Sequence, residues 1–272
     1  QAEAPTPEVA SAQGGLHFVT PTEFVDLPSK GLGYDVAHPM HGKDTIEIRY
    51  MTAKDEDILT SSNLIQQGKA LDKLLESLIV DKTIDYNDIL VGDKNAILVG
   101  ARVLAYGKNY DFSFIDEYGE QVKGIADLTK LVPQNYDFSN YEKGINSFSY
   151  TLPKTERIIT FSIPTHQDEI SMDIEVEAIK KVFKNDKEAI SRENSTRLKY
   201  LIKSVDGKTD RKSINEFVDN EFLSVDSLAF RNYVAETSPN LDFRIEVENS
   251  RGEKEKVVVP MTAQFFWPDS RV

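Results

Sequence analysis

At 272 residues and 40% hydrophobic content, the chain can bury one large core or two of ordinary size. Its formal charge of −13 argues against nucleic acid as the main partner, because phosphate binding needs clustered Lys and Arg. With no cysteine it has no disulfide, thiol nucleophile or thiolate-bound zinc, which fits a reducing compartment. No apolar run reaches the roughly 18 residues of a membrane span.

The opening "QAEAPTPEVASAQGG" has neither a basic nor an apolar segment, so residues 1–23 read as a flexible tail and not a signal peptide. Gln1 at its head is expected to follow a lost or unresolved initiator Met. The Gly- and Pro-rich stretch "EFVDLPSKGLGYDVAHPMHGKD" is expected to be an extended loop ordered by packing. "TIEIRYM" alternates Ile46, Ile48 and Tyr50 with polar residues, the pattern of a half-buried strand. Thr52 followed by Asp55 and Glu56 opens a helical region. Within it Leu71, Leu74, Leu75, Leu78 and Ile79 form one apolar stripe.

Asp93 is expected to cap the next helix and Gly107 to end it. Its interior, "NAILVGARVLAY", is apolar almost all round, which predicts a helix enclosed by its neighbours, with Gly100 allowing one of them close. Two hairpins follow: "YDFSFIDEYGEQVKGIADL", turning at residues 117–119, and "SFSYTLPKTERIITFSIP", turning near Lys154. Thr165 with Asp168 or Glu169 starts a helix to about Phe183. Leu198, Leu201, Ile202 and Val205 are expected on one face of another. "DRKSINEFVDN" and "SVDSLAFRNYVAE" read as short helices before Pro239, and "LDFRIEVEN" with "RGEKEKVVVP" as a last hairpin. No internal repeat is evident.

These elements predict an α+β protein: a helical N-terminal domain at 24–108, a β-rich central segment at 109–164 with hairpins, and a C-terminal domain of helices plus a hairpin at 165–272. Candidate chemistry is sparse. His17 lies in the tail and His166 at a helix start, where it reads as a cap residue. His38 and His41, with Asp35 and Asp44 nearby, form a weak metal candidate, because Pro39 interrupts any helical presentation. No phosphate loop, serine-hydrolase elbow or zinc-protease motif occurs, so an enzyme is not expected and no cofactor is implied. The terminal "FFWP" places Phe265, Phe266 and Trp267 in succession, and three aromatics cannot all face inward from one extended segment. They are candidate interface anchors, with packing beneath the C-terminal domain as the alternative.

The words "LPSKGLGYDVAHPMHGKDTIEIRYMTAKDEDILTSSNLIQQGKALDKLLESLIVD" and "ILVGDKNAILVGARVLAYG" resemble the N-terminal block of T-even-type bacteriophage baseplate hub proteins. "ITFSIPTHQDEI", "STRLKYLIKSVDGKTDRKSINEFVDN" and "FFWP" extend the resemblance to about 24–268. It implies a structural or assembly component of the hub of a contractile tail, located in the virion baseplate and assembled in the host cytoplasm. Partners would be other hub subunits and the tape-measure protein, in an oligomeric assembly. It further implies a zinc-ribbon-like hairpin after the apolar helix, here without cysteine. Packing of Phe112, Phe114, Val122 and Ile125 would then replace the metal, and Phe112, Phe114 and Tyr118 join the interface candidates. Three alternatives stay open: a transient hub assembly chaperone absent from the mature virion, a metal-dependent enzyme using His38 and His41, and a general adaptor unrelated to phage.

Overall fold

The computed structural model describes residues 20–182, 192–261 and 265–266, apart from the side chain of Asn140. Residues 1–19 of the expected tail, His17 among them, and Trp267 lie outside the described residues, whereas a strand from Thr22 to Asp26 takes up the end of that tail and the start of the expected loop. Strands β1 (Thr22–Asp26) and β2 (Thr45–Arg49) pair antiparallel, with Ile46 and Ile48 facing the core. Helices α1 (Ala53–Thr60), α2 (Ser62–Gln66) and α3 (Ala70–Leu78) follow. In α1 the Asp55 carboxylate accepts from Thr52 N and Thr52 Oγ1, both at 2.8 Å, closing the cap that the sequence predicts. The α3 stripe buries Leu74, Leu75 and Leu78.

The apolar helix is α4 (Val91–Tyr106), ended by Gly107 at φ 83. Its enclosure is as expected: a Cβ at Gly100 would lie 2.6 Å from Val25 Cγ2 of β1. One at Gly92 would lie 1.8 Å from the carbonyl oxygen of Pro239. Asp93, however, does not cap this helix. Leu90 occupies the cap, and the Asp93 carboxylate, fully buried at the third helical position, reaches back to the preceding loop. It accepts from Ser29 N at 3.0 Å, Ser29 Oγ at 2.6 Å and Tyr34 Oη at 2.7 Å. Burial raises its pKa against those hydrogen bonds.

Hairpin β3 (Asn109–Ile115) and β4 (Gln121–Asp127) pairs Phe112 with Gly124 and Phe114 with Val122. Strands β5 (Phe148–Thr151) and β6 (Ile158–Phe161) gain a third partner, β7 (Ile202–Val205), in the order β5-β6-β7. Ile202 and Val205 are therefore strand residues and not part of the helical face expected of them. Helix α6 (Glu193–Leu201) stops at Leu201, and the next four residues cover the open edge of β6, with Thr160 and Ser204 hydroxyls 2.6 Å apart. A buried aromatic group of Phe148, Phe161 and Phe230 packs against this sheet.

Helix α5 (His166–Val182) begins after Thr165, whose amide donates to Asp168 at 3.0 Å. Helices α7 (Arg211–Glu216), which runs into a π turn, and α8 (Ser224–Thr237) precede the last hairpin, β8 (Arg244–Glu248) with β9 (Lys254–Val258). One contiguous buried cluster includes Leu27, Ile97, Phe112, Phe161, Phe230 and Phe266. Among the described residues no helix is long and apolar enough to cross a membrane.

Candidate protein-interaction site

The hairpins β3–β4 and β8–β9 meet at their tips, and the two tips share one design. In the first, Asp116 Oδ1 accepts from the amides of Tyr118 at 3.0 Å and Glu120 at 2.8 Å, with Gly119 at φ 82. In the second, Asn249 Oδ1 accepts from the amides of Arg251 at 2.9 Å and Glu253 at 3.0 Å, with Gly252 at φ 77. "DEYGE" and "NSRGE" are thus the same turn twice, each closed by an Asp or Asn side chain that takes the place of a backbone acceptor. The tips are also tied to each other. Asp116 Oδ2 accepts from Ser250 N at 3.1 Å, Tyr118 Oη donates to Glu253 at 2.7 Å, and the Arg251 guanidinium lies 3.6 Å from the Tyr118 ring centroid. Hydrogen bonds from Ser250, with those of the Glu120 and Tyr118 amides, hold the Asp116 carboxyl at about 2 against the pull of burial.

This arrangement supplies a polar staple for a cysteine-free hairpin, beside the apolar packing expected of it. Phe112 is buried, lies tilted against Phe114 at 5.9 Å and covers Gly124, and Phe114 pairs with Val122, but Ile125 is 64% exposed on the opposite face. The polar tips add a second fastening. Their sequence signal was the recurrence of Asp/Asn-x-x-Gly-Glu.

Phe265 and Phe266 correct the expectation of exposed terminal aromatics: they are 2% and 1% exposed. Phe265 packs edge-on to Tyr110 at 5.0 Å, and its carbonyl accepts from Arg102 Nε at 2.6 Å. Buried Arg102 also donates to the carbonyls of Gly107 at 3.0 Å and Asn109 at 3.4 Å. It therefore joins the C-terminal end of α4, the start of β3 and Phe265, where the helix dipole favours a cation. Of the named interface candidates that are described, only Tyr118 is surface-exposed; Phe112 is buried and Phe114 half-buried.

His38 and His41 sit in successive turns around Tyr34. His38 stacks on that ring at 4.8 Å and accepts from Met40 N at 3.1 Å. His41 Nδ1 lies 2.7 Å from the Tyr34 carbonyl and donates to it. Among the described residues no three His, Asp or Glu side chains are grouped to hold a metal.

A second polar group had no signal in sequence spacing. His166, 4% exposed, meets Asp72 of α3, Lys94 of α4 and Glu169 one turn along α5. Its Nε2 is 3.2 Å from Asp72 Oδ1, close enough for charge attraction but off the hydrogen-bond axis. Lys94 pairs with Glu169, and the Tyr86 ring stands edge-on to the imidazole at 4.7 Å. Desolvation pulls the His166 pKa down, yet the nearby Asp72 and Glu169 carboxylates outweigh it and raise the net value. The Glu169 carboxyl, opposed by its own burial, is brought to about 2 by His166 and Lys94. The group ties three helices together by charge.

The chain matches the family model described as T4 bacteriophage base plate protein over residues 22–267. No curated protein and no solved structure matches it. The matched span runs from the first strand to beyond the buried Phe265 and Phe266, so the chain belongs to the T4 bacteriophage base plate protein family.

Proposed function

We propose that the chain is a structural or assembly component of the central hub of a contractile-tail base plate and acts by binding other proteins. The carrying observation is the family match across residues 22–267. The surface is consistent with such work: Ile115, Ile125 and Val258 on the paired hairpins are each more than half exposed, as apolar side chains at protein interfaces are before assembly. Other hub subunits are the first partners in this reading and the tape-measure protein the second, with oligomerisation in the assembled tail and assembly in the host cytoplasm.

The test is quantitative mass spectrometry of purified infectious virions, normalised to a tail protein of known copy number. A fixed small stoichiometry supports a hub component. Absence from virions, with presence on base plate precursors in infected cells, supports the transient assembly chaperone instead. Absence from both refutes a role in the base plate hub.

A further inference from the structure

Among the described residues, strand β1 has a free edge. The flanking bonds Tyr50 N to Pro21 O and Leu27 N to Asp44 O set the register, so the amides and carbonyls of Glu23 and Val25 face β2. Those of Thr22, Phe24 and Asp26 point the other way, and no described backbone group bonds to them. An edge of this kind is a template for a further strand.

Beside that edge runs a trough of about 380 Å³, lined by Val25, Val99, Gly100, Val103, Leu104 and Leu131. Phe24 and Val132 stand at its rim, 66% and 57% exposed. The charged residues lining it are Glu23 and Asp26, both acidic. Residues 1–19 of this chain do not complement that rim, since they hold Glu3 and Glu8 and no Lys or Arg. A second copy, at a formal charge of −13, meets it with like charge overall.

We propose that β1 accepts an added strand from a different protein: an extended segment with an apolar side chain for the trough and Lys or Arg opposite Glu23 and Asp26. Backbone pairing along Thr22, Phe24 and Asp26 supplies affinity, while the trough and acidic rim supply selectivity. This inference rests on the proposed base plate role and names the edge that performs the binding.

The test uses the full chain in infected cells, with a photo-crosslinking phenylalanine analogue at position 24 and two variants. Phe24→Pro removes an outward amide, which an edge strand tolerates, and Glu23→Lys with Asp26→Lys reverses the rim. We expect crosslinks from position 24 to a different base plate protein, in a segment carrying Lys or Arg. Incorporation into base plates should fall about tenfold or more in both variants at unchanged melting temperature, the scale of losing an interface anchor. If Phe24→Pro lowers the melting temperature, the charge-reversed variant decides. Normal incorporation of a folded variant overturns the inference while leaving the base plate role intact. Crosslinks to residues 1–19 or to a second copy overturn it as well. A chain found in neither base plates nor their precursors removes the base plate role first, and the inference with it.

Discussion

Replacing Gly92 with Ala should destabilise the protein even though alanine is the better helix former. In a helix interior the exchange is worth about 1 kcal/mol in favour of Ala. At Gly92 the added methyl would sit 1.8 Å from Pro239 O, 2.8 Å from Pro239 C and 3.1 Å from Asn240 Cα, all backbone atoms. The Pro239 carbonyl must retreat by roughly 1.5 Å to reach ordinary contact. That strains the hydrogen bond from Gln134 N to Asn240 O, 3.0 Å long, and the bridge between Pro133 and Leu241. Overpacking of about 3 kcal/mol and a weakened hydrogen bond of ~1 kcal/mol, less the helix gain, leave a loss of ~3 kcal/mol. Urea unfolding followed by far-ultraviolet circular dichroism measures it, with an unchanged m-value confirming that the denatured state is unaltered. Gly100→Ala is the internal control, because there the obstacle is the Val25 side chain at 2.6 Å, on an edge strand able to give way. A Gly92→Ala variant within 0.5 kcal/mol of the parent, a margin of about the error of such measurements, refutes the backbone-contact argument.

Phe265→Ala should cost about 3–5 kcal/mol in the same assay, since it empties a site among Tyr110, Phe266 and Arg102; a cost below ~1 kcal/mol would return Phe265 to the surface. Tyr34→Phe should cost ~1–3 kcal/mol, because its hydroxyl both donates to Asp93 and accepts from Leu90 N at 3.0 Å, and a neutral result would mean that water replaces it. The His166 group sets a pH window. His166 has a raised folded pKa, so its contribution is complete below the ordinary 6.5 and is lost as pH rises through the folded value. Glu169, lowered from 4.5 to about 2, contributes above 4.5 and loses that contribution as pH falls toward 2. Its ceiling of about 3 kcal/mol is reduced to ~1–2 kcal/mol by solvent screening at its partly exposed edge. Unfolding free energies from pH 2 to about 9 should peak between those limits, and His166→Gln should flatten the alkaline side; an unchanged alkaline slope in that variant would assign the dependence elsewhere.

Local patterns were legible wherever the stabilising partner lay close in sequence. Four helices with Asp at the third position, α1, α4, α5 and α8, illustrate the boundary. Asp55 and Asp168 follow Thr caps, and both bond back to Thr52 and Thr165, as the spacing alone predicts. Asp93 and Asp226 follow Leu90 and Leu223, which have no polar side chain to offer. Their carboxylates go instead to Ser29 and Tyr34, and to the amides of Lys154 at 2.8 Å and Thr155 at 3.1 Å in the β5–β6 turn. The residue type and position are the same, and the neighbour decides between a local cap and a distant staple. Strand β7 escaped for a related reason, because its apolar residues fit a helical face until an open edge of β6 is present to claim them. The aromatic chemistry of "FFWP" was visible, but its burial depended on Arg102, 163 residues away from Phe265.

That distance bears on how the chain is made. Arg102 waits for the carbonyl of Phe265, Tyr110 Oη for that of Pro260, and Asp116 for the amide of Ser250, partners separated by 163, 150 and 134 residues. A ribosome that has released only the first 240 residues or so has already emitted α4 and the β3–β4 hairpin, with a buried cation and a carboxylate still lacking these contacts. The last hairpin supplies Ser250, and the segment after it supplies Pro260 and Phe265. A chain truncated before Ser250 should therefore keep exposed surfaces that proteases and chaperones recognise.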